Sequence, residues 1–312
     1  MKKPPDVGIL LAGVPLASPV TLLSGCVGFC EDLARIDGVD FSSVGAVFLK
    51  GTTLEARLGN PPPRVVETHG GMLNAIGLQN PGARHVVQKI LPAIQHLPTR
   101  FFANIAGSTV DEYGEVARIF DNSPIDGIEI NISCPNVKEG GAAFGSDPLV
   151  AARVVETVKR ATSKPVITKL SPNVTDIALM TRAVIDAGTD AISAINTLMG
   201  LAIDLEKRQP VLGNGQGGLS GPAIKPVALL QVWRIHQIAG PRGIPIIGQG
   251  GITTARDAME FVLAGATAIG LGTALFRNPL GTAELLEGMV TWLRHFGVDN
   301  FSKVRGTLNW PG

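Results

Sequence analysis

Eight short apolar runs, rich in β-branched residues, restrict the possible fold more than any other feature of this chain. They cover residues 20–23, 46–49, 101–105, 127–132, 165–170, 190–195, 244–248 and 267–271. Most gaps between them carry apolar residues at three- and four-residue spacing, as in 148–161, 176–187, 224–239 and 254–264. This spacing is typical of amphipathic helices, so the chain alternates predicted strands with predicted helices.

Strands that alternate with helices form parallel sheets joined by right-handed crossovers. Eight strand–helix units in 312 residues predict an α/β fold of the closed (β/α)8 type, the TIM barrel. An open, doubly wound sheet is the alternative, but no GxGxxG follows the first predicted strand. Nothing in the sequence marks a domain boundary, so we expect one barrel domain over residues 1–312. Residues 52–80 form the longest strand-poor stretch and are predicted to be an extended loop at the functional end.

Composition excludes several classes of protein. The 27 Lys and Arg residues against 26 Asp and Glu give a net charge of +1, which is too balanced for nucleic-acid binding by electrostatic attraction. Three cysteines are too few for a disulfide scaffold. Residues 7–25 are uncharged and could be read as a signal peptide or membrane span, but Pro15 and Pro19 interrupt any helix there. We therefore expect a cytoplasmic protein that does not bind a membrane.

Polar residues and glycines follow nearly every predicted strand, at the end of the barrel where such folds place their chemistry. Lys50 and Lys169 each close an apolar run. Each side chain either leaves the barrel for solvent or points inward, where it needs an anionic partner such as a phosphate, a carboxylate or a reduced cofactor. Alternation along 127–134 directs Glu129, Asn131 and Ser133 into the barrel and the isoleucines towards the helices.

Glycines in the loops after the last two strands indicate an anion site. Gly250 and Gly251 follow the seventh predicted strand, and Gly272 with Thr273 follows the eighth, where barrels of this type commonly bind phosphate. The segment 217–221 is predicted to be a third flexible loop, because it contains three glycines.

Cys134 ends a predicted strand and enters a glycine-bearing loop, a position from which a partly ionised thiol can act as a base or nucleophile. Cys26 and Cys30 are better interpreted as packed free thiols than as metal ligands. The five histidines lie away from the predicted strand ends, so we expect neither a metal centre nor a histidine base.

Eight motifs, in chain order, carry a resemblance to one enzyme family. They are KGTT (50–53), NAIGLQN (74–80), ANIAG (103–107), NISCPNVKEGG (131–141), VITKLSPN (166–173), INT (195–197), GGLSGP (217–222) and IIGQGG (246–251). Together they resemble the class 1 dihydroorotate dehydrogenases over nearly the whole chain. The cysteine loop is the most specific part, since class 2 has a serine there, and the residues after Val137 are most similar to class 1B.

This resemblance implies an enzyme that oxidises dihydroorotate to orotate in pyrimidine biosynthesis, with FMN in the barrel mouth. Cys134 would be the base that removes a proton from C5 while hydride leaves C6 for the flavin. The positions that match substrate contacts are Lys50, Asn74, Ala75, Ile76, Gly77, Leu78, Asn131, Asn196 and Thr197. The positions that match FMN contacts are Ser24, Lys50, Gly51, Asn104, Asn131, Lys169, Ile195, Gly221, Gly250, Gly251, Gly272 and Thr273.

The chain departs from the commonest family pattern at Leu23, Gly51, Met199 and Gln249. Leu23 stands where alanine is more frequent, so its larger side chain is expected to crowd the flavin. None of the four departures touches the chemistry that the resemblance implies.

The class 1B resemblance further implies a homodimer that pairs with an electron-transfer subunit carrying FAD and an iron–sulfur cluster, in a heterotetramer with NAD as acceptor. Two alternatives stay open on sequence grounds. One is another flavin barrel that acts on a reduced pyrimidine, such as a dihydropyrimidine or dihydrouridine enzyme. The other is a non-catalytic barrel that binds a ligand.

Overall fold

The computed structural model describes residues 4–132 and 144–311. The strands in these ranges are β1 (Ile9–Leu11), β2 (Val14–Leu16), β3 (Val20–Leu22), β4 (Ala46–Phe48), β5 (Val65–Thr68), β6 (Gly71–Asn74), β7 (Arg100–Ile105), β8 (Gly127–Asn131), β9 (Val166–Leu170), β10 (Ala191–Ala194), β11 (Leu198–Gly200), β12 (Ile203–Asp204), β13 (Gln209–Pro210), β14 (Gly217–Ser220), β15 (Ile246–Gln249) and β16 (Ala268–Leu271).

The α-helices of the same ranges are α1 (Ser24–Val27), α2 (Glu31–Ala34), α3 (Ala83–His85), α4 (Leu91–Ile94), α5 (Val110–Asp121), α6 (Pro148–Ala161), α7 (Ile177–Asp186), α8 (Lys225–Ala239), α9 (Ala255–Leu263), α10 (Ala274–Arg277) and α11 (Gly281–His295). A π-helical segment, Val86–Ile90, joins α3 to α4. Short 3-10 turns cover Phe41–Ser43, Pro222–Ile224, Gly240–Arg242 and Phe301–Val304.

Eight parallel strands close into a barrel in the order β3, β4, β7, β8, β9, β10, β15 and β16, with β16 pairing back onto β3. Each contains or overlaps one of the eight apolar runs of the sequence, so the predicted (β/α)8 fold is confirmed. The four predicted helices are present as α6, α7, α8 and α9. Asp147 and Asp176 accept backbone N–H hydrogen bonds at the first turns of α6 and α7, which explains why these helices begin where they do.

The barrel interior is apolar at the N-terminal ends of the strands, and the hairpin β1–β2 covers this end. Leu11 and Leu16 of this hairpin are buried in one cluster with Ala46, Ala191 and Ala268, the first residues of three barrel strands. The isoleucines of β8 instead belong to the larger core between strands and helices. This arrangement leaves the opposite, C-terminal end of the barrel for polar groups.

A four-stranded antiparallel sheet, in the order β11–β14–β6–β5, lies outside the barrel and contributes side chains to its C-terminal end. Residues 52–80, predicted to be an extended loop, thus contain the strands β5 and β6, and residues 217–221, predicted to be a flexible loop, contain β14. Glycine usually weakens a strand, but here it allows close approach. A Cβ on Gly218 of β14 would lie 2.0 Å from Thr197 Oγ1.

No helix in the described ranges has the length and apolar character needed to cross a bilayer.

Candidate functional site

A cavity of about 480 Å³ occupies the C-terminal end of the barrel, between the strand ends and the four-stranded sheet. Its lining contains all the residues that the sequence assigned to substrate: Lys50, Asn74, Ala75, Ile76, Gly77, Leu78, Asn131, Asn196 and Thr197. It also contains most of those assigned to FMN, namely Lys169, Ile195, Gly221, Gly250, Gly251, Gly272 and Thr273, besides Lys50 and Asn131.

Three residues assigned to FMN stand behind this lining. Ser24 is buried at the start of α1, and Asn104 is fully buried near the end of β7. Gly51 lies against Asn104, since a Cβ on Gly51 would be 2.9 Å from Asn104 Oδ1. Cys134, the predicted base, and Ser133 lie outside the described residues.

Lys50 and Lys169 bring two positive charges to the cavity, so the inward alternative predicted for them applies and the solvent alternative was wrong. Lys169 is only 7% exposed and pairs in register with Asn131 across β8 and β9. Asn196 Nδ2 lies 3.5 Å from Asn131 Oδ1. This cluster of ammonium and amide groups can bind a carboxylate and the amide groups of a small ring.

A buried carboxyl group organises the layer of side chains beneath the cavity. Glu129 accepts hydrogen bonds from Asn104 Nδ2 and from Ser193 Oγ, the second at 2.6 Å. Asn104 therefore directs its NH2 group towards Glu129. Asn104 Oδ1 then faces away and is buried without a partner among the described residues. Glu129 thus points into the barrel, as alternation along the strand predicted, and there it belongs to a hydrogen-bonded cluster.

Tyr113 fixes the end of β8. Its hydroxyl donates a 2.8 Å hydrogen bond to the backbone oxygen of Asn131, and its ring meets Phe144 edge-on at 5.7 Å between centroids. The position of Asn131 in the cavity is therefore held from the helix side of the barrel by α5.

Backbone conformation requires glycine both in the predicted phosphate loop after β15 and in the loop at Gly221, which follows β14. Gly221, Gly250 and Gly251 have φ values of +101°, +128° and +80°, which L side chains rarely adopt. A Cβ on Gly251 would also lie 2.8 Å from the backbone oxygen of Gly221. The two loops therefore pack backbone against backbone at this side of the cavity.

Sequence reasoning did not assign Cys26 and Gln249 to the site, although both line the cavity. Burial raises the pKa of the Cys26 thiol to about 11, and the nearby charges of Lys169 and Lys50 only partly offset this effect. Gln249 is 1% exposed, and its Nε2 donates to the backbone oxygen of Ile195 at 3.1 Å. Its Oε1 is buried and has no partner among the described residues. Their positions, in the short helix α1 that follows β3 and at the end of β15, were the signals that could have found them.

Leu23, the residue expected to crowd a cofactor, also lines the cavity. Its Cδ2 lies 2.6 Å from the place that a Cβ on Gly270 would occupy. The missing side chain at Gly270 therefore makes room for part of Leu23.

The part of the chain that the structure describes contains no group of three or more His, Cys, Asp or Glu side chains that could hold a metal ion.

Comparisons with a family model and with individual known proteins all point to the same enzyme family. The family model described as dihydroorotate dehydrogenase matches residues 9–293. The catalytic subunit of dihydroorotate dehydrogenase B (NAD(+)) from Geotalea uraniireducens is 50% identical over 305 residues, which cover 97% of this chain and 98% of that protein. The subunits of the same name from Pelobacter propionicus and Trichlorobacter lovleyi are each 51% identical, over 97% of this chain and 99% of theirs.

Proposed function

The chain belongs to the dihydroorotate dehydrogenase family and oxidises dihydroorotate to orotate in pyrimidine biosynthesis, and we propose that its flavin is FMN, bound in the cavity at the barrel mouth. The proposal depends above all on one observation. Lys50, Lys169, Asn131 and Asn196 share one cavity with the glycine loops that follow β14 and β15.

The residues present fit a flavin nucleotide. At Gly221, Gly250 and Gly251 an added Cβ would collide with neighbouring protein atoms, so only glycine allows this backbone conformation along the cavity. Backbone N–H groups of such loops can bind an anionic phosphate. Asn104 Oδ1 and Gln249 Oε1 are buried acceptors that still require donors, and a flavin ring and its ribityl chain carry N–H and O–H groups. Gly51 and Ser24, which lie behind the lining, would support the residues that meet this group.

FMN bound in this cavity would supply the acceptor for the hydride that leaves C6 of dihydroorotate. Cys134 is the base that takes the proton from C5, which requires that its thiol be ionised first. Lys169 supplies positive charge in a buried site, where it stabilises negative charge that develops during the reaction. Lys50 and the amides of Asn74, Asn131 and Asn196 orient the carboxylate and amide groups of the substrate.

Anaerobic reduction of the purified protein tests this proposal. The expected sample is yellow, carries one FMN per chain and loses its flavin absorbance when dihydroorotate is added. Dihydrouracil in place of dihydroorotate should give little reduction, because it lacks the carboxylate that the lysines would bind. A colourless protein that takes up no FMN would refute the cofactor, and equal reduction by dihydrouracil would refute the substrate.

We extend the proposal to the assembly that the class 1B resemblance implies: a homodimer joined to an electron-transfer subunit with FAD, an iron–sulfur cluster and NAD as acceptor. The relatives are named catalytic subunits, which supports the existence of a partner subunit. An apolar run supports self-association, since Met199, Leu201, Ile203 and Leu205 are 41%, 56%, 58% and 84% exposed. Sedimentation of the wild type against a Leu201→Ser, Ile203→Ser double variant should show a dimer that becomes a monomer.

The proposed location is the cytoplasm. Cys26 and Cys30 are free thiols in the structure, which fits a reducing compartment.

A further inference from the structure

Lys225 stands at the junction of the two loops that would hold a phosphate, yet its charge is used within the protein. It is the first residue of α8, four positions after Gly221. Its Nζ lies 2.5 Å from Asp257 Oδ1 and 2.8 Å from Glu260 Oε2, both on α9, and the side chain is 25% exposed. Two carboxylates therefore satisfy this ammonium group.

Asp257 continues the connection from Lys225 to the glycine loop. Its second oxygen, Oδ2, accepts hydrogen bonds from the backbone N–H groups of Thr253 and Thr254, at 3.0 and 2.8 Å, and from both hydroxyls at 2.9 Å. These threonines closely follow Gly250 and Gly251. Asp257 thus fixes the chain where it leaves the glycine loop, and Lys225 ties Asp257 to the start of α8.

Lys225 also touches the glycine loop directly. A Cβ on Gly251 would lie 2.9 Å from Lys225 Cβ and 3.1 Å from its backbone nitrogen. The same Cβ would be 2.8 Å from the backbone oxygen of Gly221. The two loops therefore meet at Lys225, and both line the cavity.

We propose that Lys225, acting through Asp257, is a positioning residue for the phosphate end of the cofactor cavity, an inference that rests on the proposed function. Anion binding by backbone N–H groups needs those groups to converge on one point. The Lys225–Asp257 pair holds the Gly221 loop and the Gly250–Gly251 loop in the relative position that such convergence requires. Lys225 does this without touching the phosphate.

Titration of the apoprotein with FMN and with riboflavin, which lacks the phosphate, tests the inference by quenching of flavin fluorescence. In Lys225→Met, FMN affinity should fall on the order of tenfold or more, the scale of one lost hydrogen bond to a charged group. Riboflavin affinity should change little, so the ratio of the two affinities should fall. Lys225→Arg, which keeps the charge, should restore most of the ratio.

Lys159→Met is the matched control. Lys159 pairs with Asp190 at 2.7 Å and is similarly half-buried, but Asp190 lies immediately before β10, at the opposite end of the barrel. This variant should keep the wild-type ratio. Equal loss of FMN and riboflavin affinity in Lys225→Met, or no loss of either, would overturn the positioning role.

A second variant guards against simple misfolding. Asp257→Asn should lower the same ratio of FMN to riboflavin affinity. In the double variant this ratio should be no lower than in the more affected single variant, because the two residues act through one contact. Additive losses would overturn the coupling between them. Wild-type protein that binds FMN no better than riboflavin would instead refute the proposed phosphate cradle itself, so the two failures are distinguishable.

Discussion

Surroundings, rather than residue type, decide what each thiol of this chain can do. Burial raises the pKa of Cys26 to about 11 and that of Cys30 to about 12, so both are protonated near neutral pH and are poor bases. Cys26 nevertheless lines the cavity, beside Lys169 and Lys50. Cys26 is therefore not a second candidate for the proton abstraction that we propose for Cys134.

Replacement of Cys134 by alanine should leave FMN bound and slow its reduction by dihydroorotate by ~10² or more, the usual scale for a lost general base. In the wild type the rate should rise with pH as the thiol ionises, from a reference pKa of ~8.5. Stopped-flow absorbance between pH 6 and 9 measures both effects. Cys30→Ala, a core substitution away from the cavity, is the control and should keep the wild-type profile. A flat pH profile in the reduction step would contradict a thiolate base.

Glu129 should matter through the orientation that it imposes on Asn104. Glu129→Gln retains an acceptor for Asn104 Nδ2, and its new amide can donate to the Ser193 hydroxyl, so FMN affinity should stay within a few-fold of wild type. Glu129→Leu leaves Asn104 Nδ2 without that acceptor and frees the amide to turn, so affinity should fall about tenfold. Flavin fluorescence titration of both variants measures the difference; equal affinities would show that the orientation of Asn104 is unimportant.

Among the secondary-structure elements, the barrel strands could be predicted from sequence and the sheet across the cavity could not. Barrel strands such as β4 and β16 are buried on both sides and leave continuous apolar runs. β14 has the sequence GGLS and depends on neighbouring strands, so no local pattern marks it. Most of the cavity lining could be predicted from strand ends and family motifs. Gln249 and Cys26 were missed because their roles depend on the side chains that pack around them.

Gly218→Ala tests whether this sheet shapes the substrate end of the cavity. The added Cβ would lie 2.0 Å from Thr197 Oγ1, and Gly218 also pairs in register with Asn74. Both neighbours are expected to contact substrate, so their displacement should raise the KM for dihydroorotate about tenfold or more. FMN affinity should change much less, because the added Cβ would meet Thr197 and no residue of the Gly250–Gly251 loop. Steady-state kinetics beside a flavin titration separates the two, and an unchanged KM would contradict the role given to β14.

Across the whole molecule, the barrel separates function at one end from stability at the other. The C-terminal end holds the lysines, amides and glycine loops, whereas the hairpin β1–β2 seals the N-terminal end with Leu11 and Leu16. This division follows from parallel strands, which bring all their carboxyl ends to one face. Substitutions remote from both the cavity lining and the residues that position it should therefore change stability without changing cofactor affinity.

His236 provides the test of that division. Its ring lies against Gly240, Gly265 and Gly306, where added Cβ atoms would come within 2.7, 2.1 and 2.2 Å of it. Burial, and secondarily the charge of Arg305, lowers the pKa of His236 below its ordinary value. Between the folded and unfolded pKa values the unfolded chain binds more protons, so the free energy of unfolding should be fully retained above the unfolded pKa of ~6.5 and decline as pH falls below it.

Urea unfolding from pH 7.5 to pH 5 measures this decline, and His236→Gln should make it shallower, because glutamine does not titrate. The exposed His96→Gln is the control and should leave the slope unchanged. Burial raises the pKa of Asp257, but the hydrogen bonds of Lys225 and the two threonines outweigh this effect and lower it overall. Asp257 therefore titrates below the range from pH 5 to pH 7.5 and does not obscure the measurement. FMN affinity of His236→Gln at pH 7.5 should match wild type, since His236 is remote from the cavity lining. A parallel loss of affinity, or an unaltered slope, would contradict the separation of stability from function along the barrel axis.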